Sequence, residues 1–133
     1  MADKFKLSII APDALFFEGE AEFLEFTSTE GDLGVYANHI PLTTIVDPCV
    51  VTIHNDGEKK KAAVLGGFAE ILKDRVTVLA ESAQWPEEID LERAKAALER
   101  AKERLAAKQD GTDMKRAEAA LKRAVARIET IDE

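Results

Sequence analysis

The stretch Trp85-Pro86-Glu87-Glu88-Ile89-Asp90-Leu91-Glu92-Arg93-Ala94 divides the chain into two polymers of different composition. All six Phe, the one Tyr, the one Trp, all four Pro and six of the seven Gly lie at or before residue 86. Beyond it the sequence is almost wholly Ala, Leu, Glu, Lys, Arg and Asp, broken only at Asp110-Gly111-Thr112-Asp113. Aromatic and turn-forming residues suit strands and tight connections, whereas unbranched and charged residues suit helices. The division predicts a β + α chain: an antiparallel β-sandwich over residues 1–86 and an antiparallel two-helix hairpin over residues 87–133.

Downstream of the boundary, Leu91, Ala94, Leu98, Ala101 and Leu105 recur at spacings of three and four. Met114, Ala117, Leu121, Ala124, Ile128 and Ile131 repeat the pattern. Such stripes let two helices zip along one narrow seam. Asp90 and Asp113 stand where a carboxylate caps a helix start, and Asp110-Gly111 supplies the stop between the helices. The seam is built from small and modest side chains, so the hairpin is expected to be mobile and to need the body, a ligand or a partner to stay folded down.

Upstream, Phe5, Leu7 and Ile9 alternate with polar residues, the period of a half-buried strand. Ala11-Pro12-Asp13-Ala14 reads as a turn, and Glu20 to Thr27 alternates again. Val50 to His54 runs into Asn55-Asp56-Gly57, a hairpin turn because these residues tolerate positive φ. Lys60 to Leu65, Phe68 to Leu72 and Arg75 to Ala80 complete the strands. Ser28 to Leu42 is the least periodic segment and reads as tight turns between strands. Gly66-Gly67 reads as a bulge or close backbone approach, and Cys49 as a packing residue at a strand end.

Net charge is −8, and the body holds 7 basic against 14 acidic side chains. An acidic body opposes nucleic-acid binding, which rests on neutralising phosphates with Lys and Arg. No apolar stretch approaches the roughly 18 residues that span a bilayer, so no direct membrane insertion is expected. With a single Cys no internal disulfide forms. Gly31 and Gly34 lack the following Lys-Ser/Thr and helix of a phosphate loop. Two histidines, His39 and His54, make a metal site and a catalytic constellation poor readings.

Six of the seven arginines lie in the hairpin: Arg93, Arg100, Arg104, Arg116, Arg123 and Arg127. Arg93, Arg100 and Arg104 occupy the same heptad positions in the first helix as Arg116, Arg123 and Arg127 in the second. Two readings stand. The ridges are solvated surface, or they converge on an anion, for which guanidinium forks are suited.

Taken together these residues resemble the epsilon subunit of the bacterial F-type ATP synthase over essentially the whole chain. The resemblance rests on Ala11-Pro12-Asp13, Ser28-Thr29-Glu30-Gly31-Asp32-Leu33-Gly34, His39-Ile40-Pro41-Leu42, Gly66-Gly67-Phe68-Ala69-Glu70, Val76-Thr77-Val78-Leu79-Ala80 and Ile89-Asp90-Leu91-Glu92-Arg93-Ala94. It implies a ten-stranded β-sandwich with a helical hairpin, at the cytoplasmic face of the bacterial cell membrane as a peripheral protein. The implied function is that of a non-catalytic central-stalk subunit, coupling ion translocation to ATP synthesis and restraining ATP hydrolysis through its hairpin. Implied partners are the gamma subunit, the c ring, and the alpha and beta subunits when the hairpin is extended. Glu30, Asp32 and His39 are implied at the c ring. Ile89, Asp90, Arg93 and Ala94, with Arg100, Arg123 and Arg127, are implied to bind ATP as a regulatory ligand; no cofactor is required. Two other readings remain: a stand-alone ATP-sensing or scaffolding module, and a small hydrolase using His39 with Asp32 or Glu30.

Overall fold

The computed structural model describes residues 3–107 and 113–131. The predicted stop at Asp110-Gly111 lies outside the described residues. Eight strands come first: β1 (Phe5–Ala11), β2 (Ala14–Ala21), β3 (Phe23–Ser28), β4 (Gly31–Tyr36), β5 (Leu42–Asn55), β6 (Glu58–Ile71), β7 (Arg75–Ala80) and β8 (Ala83–Gln84). A short 3-10 turn, Pro86–Glu88, leads to α1 (Leu91–Ala107) and α2 (Met114–Ile131). The sandwich followed by a helical hairpin is as expected.

The strands pair in the order β2-β1-β7-β6-β5-β3-β4, with β8 against β6. One pairing departs from the antiparallel expectation, since β1 and β7 run parallel. The ribbon encloses one core of alternate residues, among them Leu7 and Ile9 of β1, Leu24 of β3, Val35 of β4, Ile71 of β6 and Val78 of β7.

Three local readings change. The strand predicted over Glu20 to Thr27 is two, parted at Glu22, whose N–H bonds to the His54 carbonyl at 2.8 Å. The Ser28–Leu42 segment is not turns alone, because β4 runs through it, in register from Phe23↔Tyr36 to Ser28↔Gly31. Glycine disfavours strand, but here it makes room: a Cβ on Gly34 would lie 2.8 Å from the Phe23 ring, which stacks on Tyr36 at 4.3 Å. Lys60–Leu65 and Phe68–Leu72 form one strand, β6. Gly66 and Gly67 adopt φ of 98° and 134°, so the chain bends without losing its pairing to β5. The resemblance implied ten strands; the described residues form eight.

Cys49 lies inside β5 rather than at its end. Its Sγ accepts the Thr27 N–H at 3.4 Å, and burial pushes the thiol pKa up to about 11. The β5–β6 turn is as expected, with Asp56 and Gly57 at φ of 51° and 78°.

Both helix starts are capped as predicted: Asp90 Oδ1 accepts the Arg93 N–H, and Asp113 Oδ1 the Arg116 N–H, each at 3.1 Å. The residues fully buried on the seam stripes are alanines, Ala94 and Ala101 of α1 and Ala117 and Ala124 of α2, while the stripe leucines are half-buried. A second face of α2, outside the stripe, carries Ala126 and Thr130. Ala126 packs with Ala63 and Leu65 of β6 and with Ile89, so the hairpin lies folded down on the body. Lys122 of α2 adds an ion pair to Asp47 of β5 at 3.1 Å.

Candidate functional site

Three parts of the chain meet at one cleft of about 380 Å³. The segment before the hairpin brings Gln84 and Glu88, the start of α1 brings Asp90, Arg93, Ala94, Ala97 and Arg100, and the end of α2 brings Arg127. The Asp90 cap fixes where α1 begins, and Arg93, Ala97 and Arg100 then follow at helical spacing on one face. β8 pairs Gln84 with Ala63 of β6, anchoring that wall to the sandwich. Gln84 Oε1 in turn accepts a hydrogen bond from Arg127 Nε at 2.7 Å.

The charge leans basic, three arginines against two carboxylates. Arg127 is pushed below the ordinary arginine range by burial, and further by the Arg123 and Arg93 guanidinium groups. Like charges gathered in a half-buried place favour an anion that neutralises them. The two carboxylates at the cleft are partly spent on backbone: Asp90 caps α1, and Glu88 Oε1 accepts the Trp85 N–H at 2.8 Å. The cleft presents three guanidinium groups, two carboxylates, one amide and two alanines.

Of the seven residues predicted for a nucleotide, five line this cleft: Asp90, Arg93, Ala94, Arg100 and Arg127. Ile89 lies under it, packed against Ala63, Leu65 and Ala126. Arg123 lines a neighbouring groove of about 600 Å³ instead, one helical turn before Arg127. Arg104 and Arg116 are exposed and line neither space. Gln84 and Glu88 were missed, because an amide and an acid in a linker carry no sequence signal of their own.

The acidic turn and the histidine are not brought together. Glu30 is exposed at the β3–β4 turn, and Asp32 Oδ1 accepts the Thr27 hydroxyl at 2.9 Å. His39 follows the far end of β4, next to Asn38, whose N–H bonds to the Lys73 carbonyl at 2.7 Å. His39 has its Nδ1 against the Ile40 carbonyl at 2.6 Å. No carboxylate orients it among the described residues, and no group of three or more His, Cys, Asp or Glu there is placed to hold a metal.

A further surface was missed. Leu15, Ile10, Leu79, Phe68 and Ile45 are successive cross-strand partners on β2, β1, β7, β6 and β5. All five are between 37% and 55% exposed. A contiguous apolar row this long on a sheet is the mark of an interaction surface. The signal was faint but present, since Phe68 and Leu79 stand at positions where the alternation calls for polar residues. No helix among the described residues is long and apolar enough to cross a membrane.

Residues 4–86 match the family model of the ATP synthase delta/epsilon chain β-sandwich domain, and residues 87–132 that of its long α-helix domain. The ATP synthase epsilon chain of Clostridium novyi is 45% identical over 132 residues, covering 98% of this chain and all of that one. That of Caldanaerobacter subterraneus subsp. tengcongensis is 45% identical over 110 residues, covering 82% of this chain and 80% of the other. Among solved structures, a chain of the Euglena gracilis mitochondrial ATP synthase, OSCP/F1/c-ring, superposes with a TM-score of 0.83. At 23% identity, over 95% of this chain and 79% of that one, it shows a shared fold. The chain belongs to the ATP synthase delta/epsilon family, as an epsilon chain.

Proposed function

We propose that this chain is a non-catalytic subunit of the central stalk of an F-type ATP synthase, and that its hairpin is a nucleotide-controlled brake on ATP hydrolysis. The observation that carries the regulatory part is the arginine cleft. Its walls come from the linker, α1 and α2 together, so it is whole only while the hairpin is folded down. A ligand that needs the complete cleft stabilises that state by RT ln(1 + [L]/Kd), about 2.7 kcal/mol at a hundredfold excess over Kd. The described hold of the hairpin on the body is of modest size, one small apolar cluster, the Arg127–Gln84 hydrogen bond and one partly exposed ion pair, so ligand occupancy decides its position. We assign the ligand as ATP: the arginines meet the phosphates and the alanine wall meets the base.

When ATP falls, the hairpin is released and extends toward the alpha and beta subunits. Helices of 17 and 18 residues are each about 26 Å long at 1.5 Å per residue, enough to reach up a stalk. The exposed apolar row supports gamma as the partner of the sandwich, since burying it removes a large apolar surface from water. The exposed acidic turn at Glu30 and Asp32 supports a polar loop of the c ring as its partner, with His39 at a separate contact. A subunit with these partners sits at the cytoplasmic face of the membrane, held by protein contacts.

The test uses both levels. Calorimetric titration of the isolated chain with ATP, followed in parallel by small-angle scattering, is expected to show binding and compaction with one midpoint. Reconstituted enzyme lacking residues 87–133 is expected to keep synthesis and to hydrolyse ATP faster. Absence of heat at millimolar ATP would remove the nucleotide from the reading, and unchanged hydrolysis would remove the brake.

A further inference from the structure

The apolar row crosses the sheet where three of its strands are paired on both sides. Ile10 of β1 lies between Leu15 and Leu79, Leu79 of β7 between Ile10 and Phe68, and Phe68 of β6 between Leu79 and Ile45. The backbone there is already spent on neighbouring strands, so a partner cannot cover the row by adding a strand. Its segment has to satisfy its own backbone, as a helix does. The spacings agree. Strands stand about 4.8 Å apart and a helix turns every ~5.4 Å, so one side chain per turn meets one strand. The row of five strands is about 19 Å long, the length of roughly 13 helical residues. Two residues along each strand the sheet turns polar, through Thr43, Glu70, Thr77 and Ser8, so on that side the apolar stripe is one row wide.

On its other side the row opens into the groove of about 600 Å³, which Glu81 lines from the sandwich and Ala119 and Arg123 line from α2. The Glu81 N–H bonds to the Gly66 carbonyl at 2.9 Å, and a Cβ added to Gly66 would lie 3.1 Å from Glu81 Oε2. The carboxylate is thus held over the bend in β6. Neither Glu81 nor Arg123 has an ion-pair partner among the described residues. An apolar groove therefore carries an acid on its sandwich side and a base on its hairpin side, each open to an opposite charge from a partner.

We propose that row and groove together receive one amphipathic helix of the stalk partner, its apolar stripe on the row, an acidic side chain facing Arg123 and a basic one facing Glu81. The inference rests on the stalk reading above and adds the form and charge of the partner's segment and its contact with the hairpin. Arg123 and Ala119 belong to α2, so the groove has its second wall only while the hairpin is folded down. The partner therefore binds the docked chain more tightly than the released one and, by linkage, favours the docked state.

The experiment uses the assembled ATP synthase. Phe68 is replaced by photoreactive benzoylphenylalanine, and the partner residues it reaches are identified by mass spectrometry. They are expected in one segment, three or four residues apart. In a Cys49→Ser chain, the thiol of Ala119→Cys is expected to be alkylated several-fold more slowly in the synthase than in the isolated chain. That of Glu118→Cys, on the exposed side of α2, is expected to keep its rate. Arg123→Glu, added to Ala119→Cys, is expected to restore the rate of the isolated chain. Cross-links to alternate residues, or to several separate loops, overturn the helix. An unchanged rate for Ala119→Cys, or equal slowing for Glu118→Cys, overturns the groove contact, and slowing that survives Arg123→Glu overturns the charge pairing. The stalk reading stands in each of these cases, because Phe68 still meets a stalk subunit. Absence of any cross-link from Phe68 to a synthase subunit overturns both.

Discussion

Gln84 Oε1 lies 2.7 Å from Arg127 Nε, tying the linker before the hairpin to the second helix, 43 residues away. Arg127 bonds through Nε, so its two terminal nitrogens are left for the cleft. The contact fixes the guanidinium plane before a ligand arrives, and less ordering remains to be done on binding. Arg93→Ala and Arg127→Ala are each expected to weaken ATP binding tenfold or more. Gln84→Ala is expected to weaken it a few-fold, by loosening Arg127 rather than by removing charge. Calorimetry on the three variants checks this; a Gln84→Ala loss as large as that of Arg127→Ala would make Gln84 a direct ligand instead.

Divalent cation should oppose binding. The carboxylates at the cleft, Glu88 and Asp90, each already spend an oxygen on a backbone N–H. Mg²⁺ demands near-octahedral oxygen ligands and holds nucleotide phosphates tightly, so it competes with Arg93, Arg100 and Arg127. The apparent Kd for ATP is expected to rise several-fold when Mg²⁺ is added in excess. Tighter binding in Mg²⁺ would show that an acidic side chain turns into the cleft.

Asp47 and Lys122 form the one ion pair between sandwich and hairpin among the described residues, at 3.1 Å, with side chains 23% and 54% exposed. Such a pair contributes about 0.5–1 kcal/mol and is screened by salt. Asp47→Asn is therefore expected to shift the hairpin toward release by roughly two- to fivefold, given that 1.4 kcal/mol is tenfold. Energy transfer between labels on the body and α2 reads the shift. High salt should mimic the substitution in the parent chain and add little in Asp47→Asn; an equal salt response in both would reduce the pair to surface.

Gly67 and Gly31 separate strain from crowding. Both have positive φ, 134° and 125°. A Cβ on Gly67 would collide with the Leu79 carbonyl oxygen and lie 3.0 Å from Ala80 Cα, whereas one on Gly31 meets nothing within 4 Å. Gly31→Ala is expected to cost about 1–2 kcal/mol from backbone strain alone. Gly67→Ala adds overpacking of about 1–3 kcal/mol and prises β7 from β6. Urea midpoints order the two variants, and equal losses would show that the β6–β7 contact yields freely.

The sequence by itself determined what depends on local chemistry. Pro86 and the change of composition there placed the boundary, and Asp90 and Asp113 announced the two helix starts as the backbone bonds them. Period-two runs located β1 and β7, and Asp56-Gly57 the turn between β5 and β6. The order of motifs was enough to place the chain in its family, and five of the seven nucleotide candidates do share one cleft. Only the tertiary structure decided what depends on which distant residues become neighbours. Gly66-Gly67 read as a bulge or close backbone approach; the close approach, to Leu79 and Ala80, is there, and cross-strand pairing carries β6 through it as one strand. Ala126 falls outside the heptad stripe, and it is buried because the sandwich, not α1, lies against that face. Arg104 and Arg127 stand at matching positions of the repeat, yet one is exposed and the other lines the cleft. The apolar row joins residues 10, 15, 45, 68 and 79 through four strand registers. A register shift of one residue would turn those side chains to the opposite face, so their adjacency is a property of the folded sheet and not of any local stretch.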